Sequence, residues 1–344
     1  LENTLKVDER TFADFSQKHM PQKGDIVFSR VGSYGISSLV NSDKPFCLGQ
    51  NTTFIVGREN PFFLYYFLNT PDARSQIDGL VGGSTQPTIS LQSIKKIVVP
   101  HPPLPEQKAI ASVLSSLDDK IDLLHHQNKT LEALAETLFR QWFVEEAEEG
   151  WETTSLYDVI ELVGGGTPKT EIAEYWDGNI KWISAKDITP NHKDFITETE
   201  KTITESGLEN SSTRILPKYS TVISARGTVG KCCLLAENMA FSQSNYGITP
   251  GYKGCCFFTY LLVASCVEEL QSAAYGSVFD TITTNTFKEH KIKVPTETEI
   301  QSFEENIKPY FKKMLKNCEQ IHALTRLRDT LLPKLMSGGV RVKG

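Results

Sequence analysis

The chain carries two copies of one pattern, about 195 residues apart, and a duplicated sequence folds as duplicated units. Met20-Pro21-Gln22-Lys23-Gly24-Asp25-Ile26-Val27-Phe28-Ser29-Arg30 aligns with Leu216-Pro217-Lys218-Tyr219-Ser220-Thr221-Val222-Ile223-Ser224-Ala225-Arg226. After one inserted residue, Gly32-Ser33-Tyr34-Gly35 aligns with Gly227-Thr228-Val229-Gly230, and Gln50-Asn51 falls on Ser244-Asn245. Pro87-Thr88-Ile89-Ser90 then resembles Asp280-Thr281-Ile282-Thr283, and Lys96-Ile97-Val98-Val99-Pro100 resembles Lys291-Ile292-Lys293-Val294-Pro295. Each copy predicts short strands, such as residues 25–29 and 221–225, alternating with Gly/Ser/Asn turns. A helical stretch follows (residues 61–68 and 257–270), then a last strand, a proline and a long helix.

The long helices announce themselves by period. Ile110, Leu114, Leu117, Ile121, Leu124, Asn128, Leu131, Ala135, Leu138 and Trp142 alternate steps of four and three. That is a 3.5-residue repeat, the pattern of a coiled-coil seam. Phe303, Ile307, Tyr310, Met314, Asn317, Ile321, Leu324, Arg328, Leu331 and Leu335 repeat it 193 positions later, member by member. Each helix is then at least about 50 Å long at 1.5 Å per residue. A lone helix cannot hide such a stripe, so the two are expected to pack on each other, antiparallel, within the chain. Asn128 and Asn317 are polar seam positions of the kind that fixes register, and Pro309 is expected to kink the first turns of the second helix.

At 344 residues the chain has room for about two domains. The expected division is a first β-rich domain over 1–100, a spacer helix over 101–144, a second β-rich domain over 151–295, a second spacer helix over 296–337 and a tail over 338–344. Residues 151–195 open the second copy and find no counterpart in the first. Either the opening strands of the first copy are missing here or the gene product is naturally shortened.

The net charge of −6 argues against a protein that coats nucleic acid indiscriminately. Residues 101–150 alone hold 10 acidic and 4 basic groups, a deficit of six. Within the first helix Asp118, Asp119, Asp122, Glu132 and Glu136 lie largely off the seam, which reads as a solvated face or a docking face for another subunit. Seven cysteines, an odd number with two adjacent pairs, form no disulfide framework, and no C-x-x-C suggests zinc. They read as reduced, small apolar residues.

The search for chemistry finds little. Asn60-Pro61-Phe62-Phe63 lacks the second proline of the N-P-P-F/Y loop of adenine methyltransferases and reads as a helix start with proline near its first position. Gly164-Gly165-Gly166-Thr167-Pro168-Lys169 lacks the G-K-[ST] ending of a phosphate-binding loop and reads as a turn. His125 and His126 are adjacent and face different directions on a helix.

Two similar domains joined by a rigid helical pair suit a ligand with two separated sites, and duplex DNA, with half-sites about 34 Å apart per helical turn, is the natural one. At this point the chain resembles the specificity subunits of Type I restriction-modification systems. Pro102-Pro103-Leu104-Pro105-Glu106-Gln107 and Leu117-Asp118-Asp119-Lys120-Ile121 are similar to that family's first conserved helix. Leu327-Arg328-Asp329-Thr330-Leu331-Leu332-Pro333-Lys334-Leu335-Met336-Ser337-Gly338 is similar to its C-terminal signature. Trp151, Gly165-Gly166-Thr167-Pro168-Lys169 and Ile180-Lys181-Trp182-Ile183-Ser184-Ala185-Lys186-Asp187-Ile188 resemble the opening of its target recognition domains.

The resemblance implies an α+β fold, with two β-rich target recognition domains in pseudo-twofold repeat joined by an intramolecular antiparallel coiled coil. It implies a non-catalytic, cytoplasmic subunit of a bacterium or archaeon. Such a subunit binds no cofactor itself and joins double-stranded DNA to two modification subunits using S-adenosylmethionine and two restriction subunits using ATP and Mg, with no membrane involved. Each domain would read one half of a split site, and the helices would set the spacer. The alternatives are a shortened subunit or other DNA-binding scaffold working as a dimer, a fused methyltransferase or nuclease, and a purely structural protein scaffold.

Base reading should fall on loops, where Arg reads guanine, Asn and Gln read adenine, and Lys and hydroxyls anchor phosphates. In the second copy the candidates are Arg226, Thr228 and Lys231; Gln243, Ser244 and Asn245; Ser184, Lys186 and Asp187; Thr167 and Lys169; and Ser277. In the first they are Arg30, Ser33, Tyr34, Gln50, Asn51, Thr85 and Gln86. Each could equally be a turn residue satisfying its own backbone.

Overall fold

A computed structural model describes residues 4–17, 19–83, 86–275 and 281–342. The chain divides into two compact units, Leu1–Ile121 with Ala323–Gly344, and Asp122–His322. The two long helices each lend one half to either unit.

In the first unit, α1 (Glu9–Ser16) starts where the Asp8 carboxylate accepts the amide of Thr11. An antiparallel sheet follows, with β1 (Ile26–Ser29) between β2 (Ser37–Leu39) and β3 (Thr52–Ile55). Ile26 faces Leu39 on one side and Ile55 on the other. Three short helices come next, α2 (Pro61–Leu68), α3 (Pro71–Leu80) and α4 (Leu91–Ile94). The first two open with proline at a position whose amide needs no partner, and Asn60, Thr70 and Ser90 cap the three N-termini.

Then α5 (Leu104–Arg140) begins, and in this unit Ile110, Ala111 and Leu114 share a core with Ile26, Phe63, Phe67 and Ala73, and with Leu332, Leu335 and Met336 of the last helix. Half-buried Arg328 pairs with Asp118, 2.8 Å away, and Asp118 also accepts the Tyr66 hydroxyl at 2.7 Å. A cation therefore occupies a seam position because the facing helix supplies its anion.

The second unit opens with β4 (Glu152–Ser155), a 3₁₀ turn (Leu156–Val159) and β5 (Ile160–Gly164). It continues through β6 (Trp176–Ile183), α6 (Ala185–Ile188), β7 (Phe195–Ile196), β8 (Lys201–Ile203), α7 (Glu205–Glu209) and β9 (Ile215–Leu216). After β10 (Thr221–Ser224), β11 (Cys232–Leu235), β12 (Met239–Phe241) and β13 (Asn245–Pro250) come α8 (Cys256–Ser265), α9 (Val267–Tyr275), α10 (Thr284–Glu289), β14 (Lys291–Val294) and α11 (Glu297–Met336). The sheet β5-β13-β10-β11-β7 and the sheet β8-β6-β12-β9 enclose Ile183, Ile196, Leu216, Val222, Cys233, Leu235, Met239 and Phe241. A third sheet pairs β14 with β4.

The helical seam of this unit runs antiparallel, since Asn128 meets Asn317 while Phe139 meets Phe303. Asn317 donates to the Asn128 side-chain oxygen at 2.8 Å, and both residues are buried. The Cys318 thiol donates to Asp194 at 3.0 Å, and Asn128 reaches the same carboxylate. On the far side Phe257 of α8 stacks on Phe311 of α11 with ring centres 4.6 Å apart. The N-terminus of α8 is held by the buried Glu304 carboxylate, which accepts the amides of Phe257 and Phe258 at 3.1 and 2.8 Å. Burial pushes Glu304 up to about 7, against the lowering pull of those amides and of Lys308.

Several expectations change. The helical stretch expected over 257–270 is two helices, α8 and α9, divided at Cys266. α11 is continuous through Pro309. The acidic positions of α5 are not a uniform solvated face, because Asp118 binds Arg328 and Tyr66, and Glu132 and Glu136 bind Lys193. Burial, with Glu136 close by, raises Glu132. Residues 96–100 form no strand, whereas their counterpart β14 does, because β14 is paired by β4 and the first unit contains no such partner among its described residues.

The copies also register differently by one residue. The Ser29 hydroxyl donates to Ser33 O, and the Ser224 hydroxyl to Thr228 O; Gly35 N reaches Ser29 O as Gly230 N reaches Ser224 O. Arg30 thus corresponds to Ala225, not Arg226, and Gln50-Asn51 corresponds to Gln243-Ser244, since Asn51 O and Ser244 O take equivalent amides. The seven cysteines are free thiols.

Two expectations for stability follow. Asn317→Ala strands the buried Asn128 oxygen and should lower the unfolding free energy by about 1–3 kcal/mol. Asn128→Leu/Asn317→Leu together should recover most of that in urea titrations. For Glu304, a folded pKa above the unfolded value means its stabilising contribution is complete below about pH 4.5 and fades as pH rises through about 7. Glu304→Gln should therefore flatten the decline of stability between pH 5 and 8, read by urea midpoints across that range.

Candidate nucleic-acid interface

The turns after β1 and β10 are built alike. A serine at the strand end, Ser29 or Ser224, bonds across its own turn and receives the amide of Ile36 or Lys231. A side chain from the second helix then pins the turn: Arg74 donates to Tyr34 O at 2.9 Å and stacks over the Tyr34 ring, and Gln271 donates to Val229 O at 2.7 Å. The loop ahead of the next strand is tied to the same turn, by Arg30 N to Asn51 O and by Ala225 N to Ser244 O. A third segment closes each cluster, through Ile89 N to Arg30 O and Ile282 N to Ala225 O. Each unit thus converges three loops on one rigid strand end.

In the first unit this gathers Arg30, Ser33, Tyr34, Asn51 and Gln86, with Gln50 beside Asn51. Gln50, Asn51, Ser33 and Gln86 are exposed. Arg30 is half-buried and spends its Nε on Ile89 O. Thr85 lies outside the described residues, as does Ser277 in the second unit.

In the second unit a cavity of about 400 Å³ brings Thr167, Ser184, Lys186, Gln243 and Ser244 together, with Trp182, Glu200 and Lys201. Gln243 and Lys186 are exposed at its rim. Arg226 and Thr228 project from the neighbouring turn, where Thr228 meets Thr189 at 3.3 Å, and Lys231 is half-buried at the end of that turn. Lys169 is exposed, its carbonyl accepting the Trp176 indole. The glycine run beside it is there for close packing: a Cβ on Gly165 would stand 2.1 Å from Ser242 O and one on Gly166 2.2 Å from Thr213 N.

Two of the expected readers are buried. Asp187 is buried, its carboxylate accepting Ser184 N, the Ser184 hydroxyl and Glu200 N at 2.6–2.8 Å. Asn245 is buried and donates to the Ser242 hydroxyl at 2.9 Å. Sequence reasoning missed Trp182, Glu200 and Lys201. They arrive from β6 and the entry to β8, and only the pairing of those strands brings them to the loops. The amides, hydroxyls and ammonium groups that remain can offer donors and acceptors to base edges and neutralise phosphates.

Among the described residues no group of three His, Cys, Asp or Glu side chains could hold a metal ion, and no helix is long and apolar enough to cross a membrane. Comparison with known proteins finds the same duplication. The family pattern described as "Type I restriction modification DNA specificity domain" matches residues 3–133 and again 148–323.

The chain belongs to that family.

It is 25% identical to the MjaIX specificity subunit of Methanocaldococcus jannaschii, over 98% of this chain and 82% of that one. It is 24% identical to the HindI specificity subunit of Haemophilus influenzae, over 93% and 87%. Among solved structures, the S subunit of a Type I restriction-modification system from M. genitalium superposes with a TM-score of 0.58 at 18% identity, covering 92% of this chain and 84% of that one. The shared fold is α+β, with two β-rich repeats and a pair of long helices.

The division between scaffold and exposed tip is testable. Asp187→Asn should cost about 1–3 kcal/mol of stability through stranded buried partners. Gln243→Ala should cost less than about 0.5 kcal/mol, as an exposed site away from such features does. Thermal unfolding of the two variants would decide it.

Proposed function

We propose that this chain is the sequence-reading and assembly subunit of a Type I restriction-modification complex, carrying no catalytic site of its own. The observation that supports this best is the repeated three-loop cluster, one on each unit, in a chain whose two halves match one DNA specificity pattern. Each cluster reads one half of a bipartite, asymmetric site, and the antiparallel helices set the unread spacer. The partners are double-stranded DNA, two modification subunits docking largely on the helices and recognition domains, and two restriction subunits in the full assembly. Those partners bring S-adenosylmethionine, ATP and Mg, and the setting is the cytoplasm.

The mechanism follows from how few charges the loops carry. Affinity for the DNA backbone grows with the number of phosphates neutralised. An acidic chain leaves much of that to its partners and keeps base-edge contacts for itself. In this reading Gln243 and Ser244 address a base edge from the second unit, and Lys186 and Lys201, which line the same cavity, address phosphates. Gln50 and Asn51 are the structurally matching pair in the first unit.

The experiment is adenine methylation mapping in a host carrying the chain with its modification partner. Exchanging residues 151–295 for those of a relative should alter one half-site and leave the other half and the spacer intact. A change in both halves overturns the assignment. In the assembled complex, Gln243→Ala should cost about 1–3 kcal/mol of discrimination at one base pair. Lys186→Ala should instead weaken all sequences alike and reduce the salt slope by about one.

A further inference from the structure

The cavity between α6 and the entry to β8 holds one group that phosphate binding does not explain. Glu200 stands there with Thr167, Ser184, Lys186, Gln243 and Ser244. Its backbone is fixed from within. One oxygen of the buried Asp187 carboxylate accepts Glu200 N at 2.8 Å, and the other accepts Ser184 N at 2.8 Å and the Ser184 hydroxyl at 2.6 Å. A single internal anion thus ties both rims of the cavity together. At the next residue the Lys201 ammonium rests over the Trp176 ring, 5.2 Å from its centre. Trp182, opposite Lys201 in the strand pair, is buried, spends its indole N–H on Gly166 O and lines the cavity.

The Glu200 carboxylate is held far less firmly than its backbone. Its ion pair with Lys186 is 3.9 Å long, between side chains that are 56% and 81% exposed. A pair of that kind constrains neither partner. Glu198, on the same approach to β8, is instead engaged by Lys181 at 3.4 Å and His322 at 3.5 Å.

An ionised carboxylate accepts hydrogen bonds and donates none. Phosphate repels it, and guanine O6 and N7 or thymine O4 face it with further acceptors. Adenine sets an acceptor beside its amine, an edge that suits an amide such as Gln243. Cytosine alone offers an amine, N4, and nothing else in the major groove. Once a base edge has displaced water from the cavity, a carboxylate facing an acceptor is left without a partner, the situation in which polar sites discriminate most.

Resting on the sequence-reading role proposed above, we infer that Glu200 is a specificity-determining residue: it selects a C·G pair at one position of the second unit's half-site by accepting from cytosine N4. Lys186 leaves Glu200 for the DNA backbone as the duplex docks, which frees the carboxylate for the base. Asp187 is a positioning residue that holds Glu200 and Ser184 at a set separation.

The test is adenine methylation mapping in a host carrying the modification partner with the wild-type chain, Glu200→Gln, Glu200→Ala or Glu198→Gln. The wild-type motif should contain a C·G pair at the position concerned. Glu200→Gln, whose amide both donates and accepts, should lower the preference for that pair over the other three by about tenfold, with the rest of the motif intact. Glu200→Ala should relax the same position. Glu198→Gln removes an equal charge outside the cavity and should leave every preference unchanged. An unchanged motif in both Glu200 variants would overturn the inference. So would relaxation at an A·T position, the same relaxation in Glu198→Gln, or a uniform rise in methylation at all sequences, which would make the carboxylate a brake on charge alone. A wild-type chain that directs methylation to no bipartite motif would overturn the sequence-reading role as well, so the two failures are distinct.

Discussion

A helix that repeats its apolar residues every 3.5 positions for ten positions cannot stand in water, and this chain contains two of them. Everything else is arranged around that requirement. The stripes cover each other, antiparallel, and each β-rich half closes over part of the pair: Ile110 and Leu114 beneath α2, Phe303 and Phe311 beneath α8. The polar members of the seam are then no longer free to be solvated. Asn128 finds Asn317, and Arg328 finds Asp118. Such pairs add little net energy over an apolar contact, but a register slip would strand every one of them, so they select the observed alignment over its neighbours.

The same economy governs the loops. A reading loop must project polar groups into solvent while staying rigid, and those demands compete for the same side-chain types. Each unit resolves the conflict by dividing labour along the chain. Ser29, Ser224 and Asp187 spend their polar atoms on backbone and neighbours, while Gln50, Asn51, Gln243 and Lys186 are left exposed on the turns so stiffened. Arg74 and Gln271 show that the two units need the same latch without needing the same residue, since any long donor reaching the turn carbonyl from the second helix suffices.

What could be read from sequence was whatever repeats locally. The seam was legible because its period is a property of consecutive residues. The start of α2 at Pro61 was legible because proline and Asn60 act within one turn. The one-residue misalignment of Arg30 with Arg226 arose because identical side chains outweighed the quieter Ser29–Ser224 match, and only the hydrogen bonds across the two turns reveal it. The burial of Asp187 and Asn245 could not be foreseen, because a buried capping group and an exposed one are the same residue in a sequence. Glu200 and Lys201 gave no signal, their place in the cavity depending on the pairing of β6 with β8.

The distribution of charge now has a structural account. The deficit in residues 101–150 is partly consumed by internal pairing, through Asp118 with Arg328 and through Glu132 and Glu136 with Lys193. A count of formal charges therefore overstates how repellent this helix is to a polyanion. Conversely, Glu200 stands in the cavity with Lys186 and Lys201 and offsets one of their two positive charges. Affinity for a polyanion scales with uncompensated cations, so that pairing trims it. Hydrogen-bond discrimination, which depends on geometry and desolvation, is left untouched.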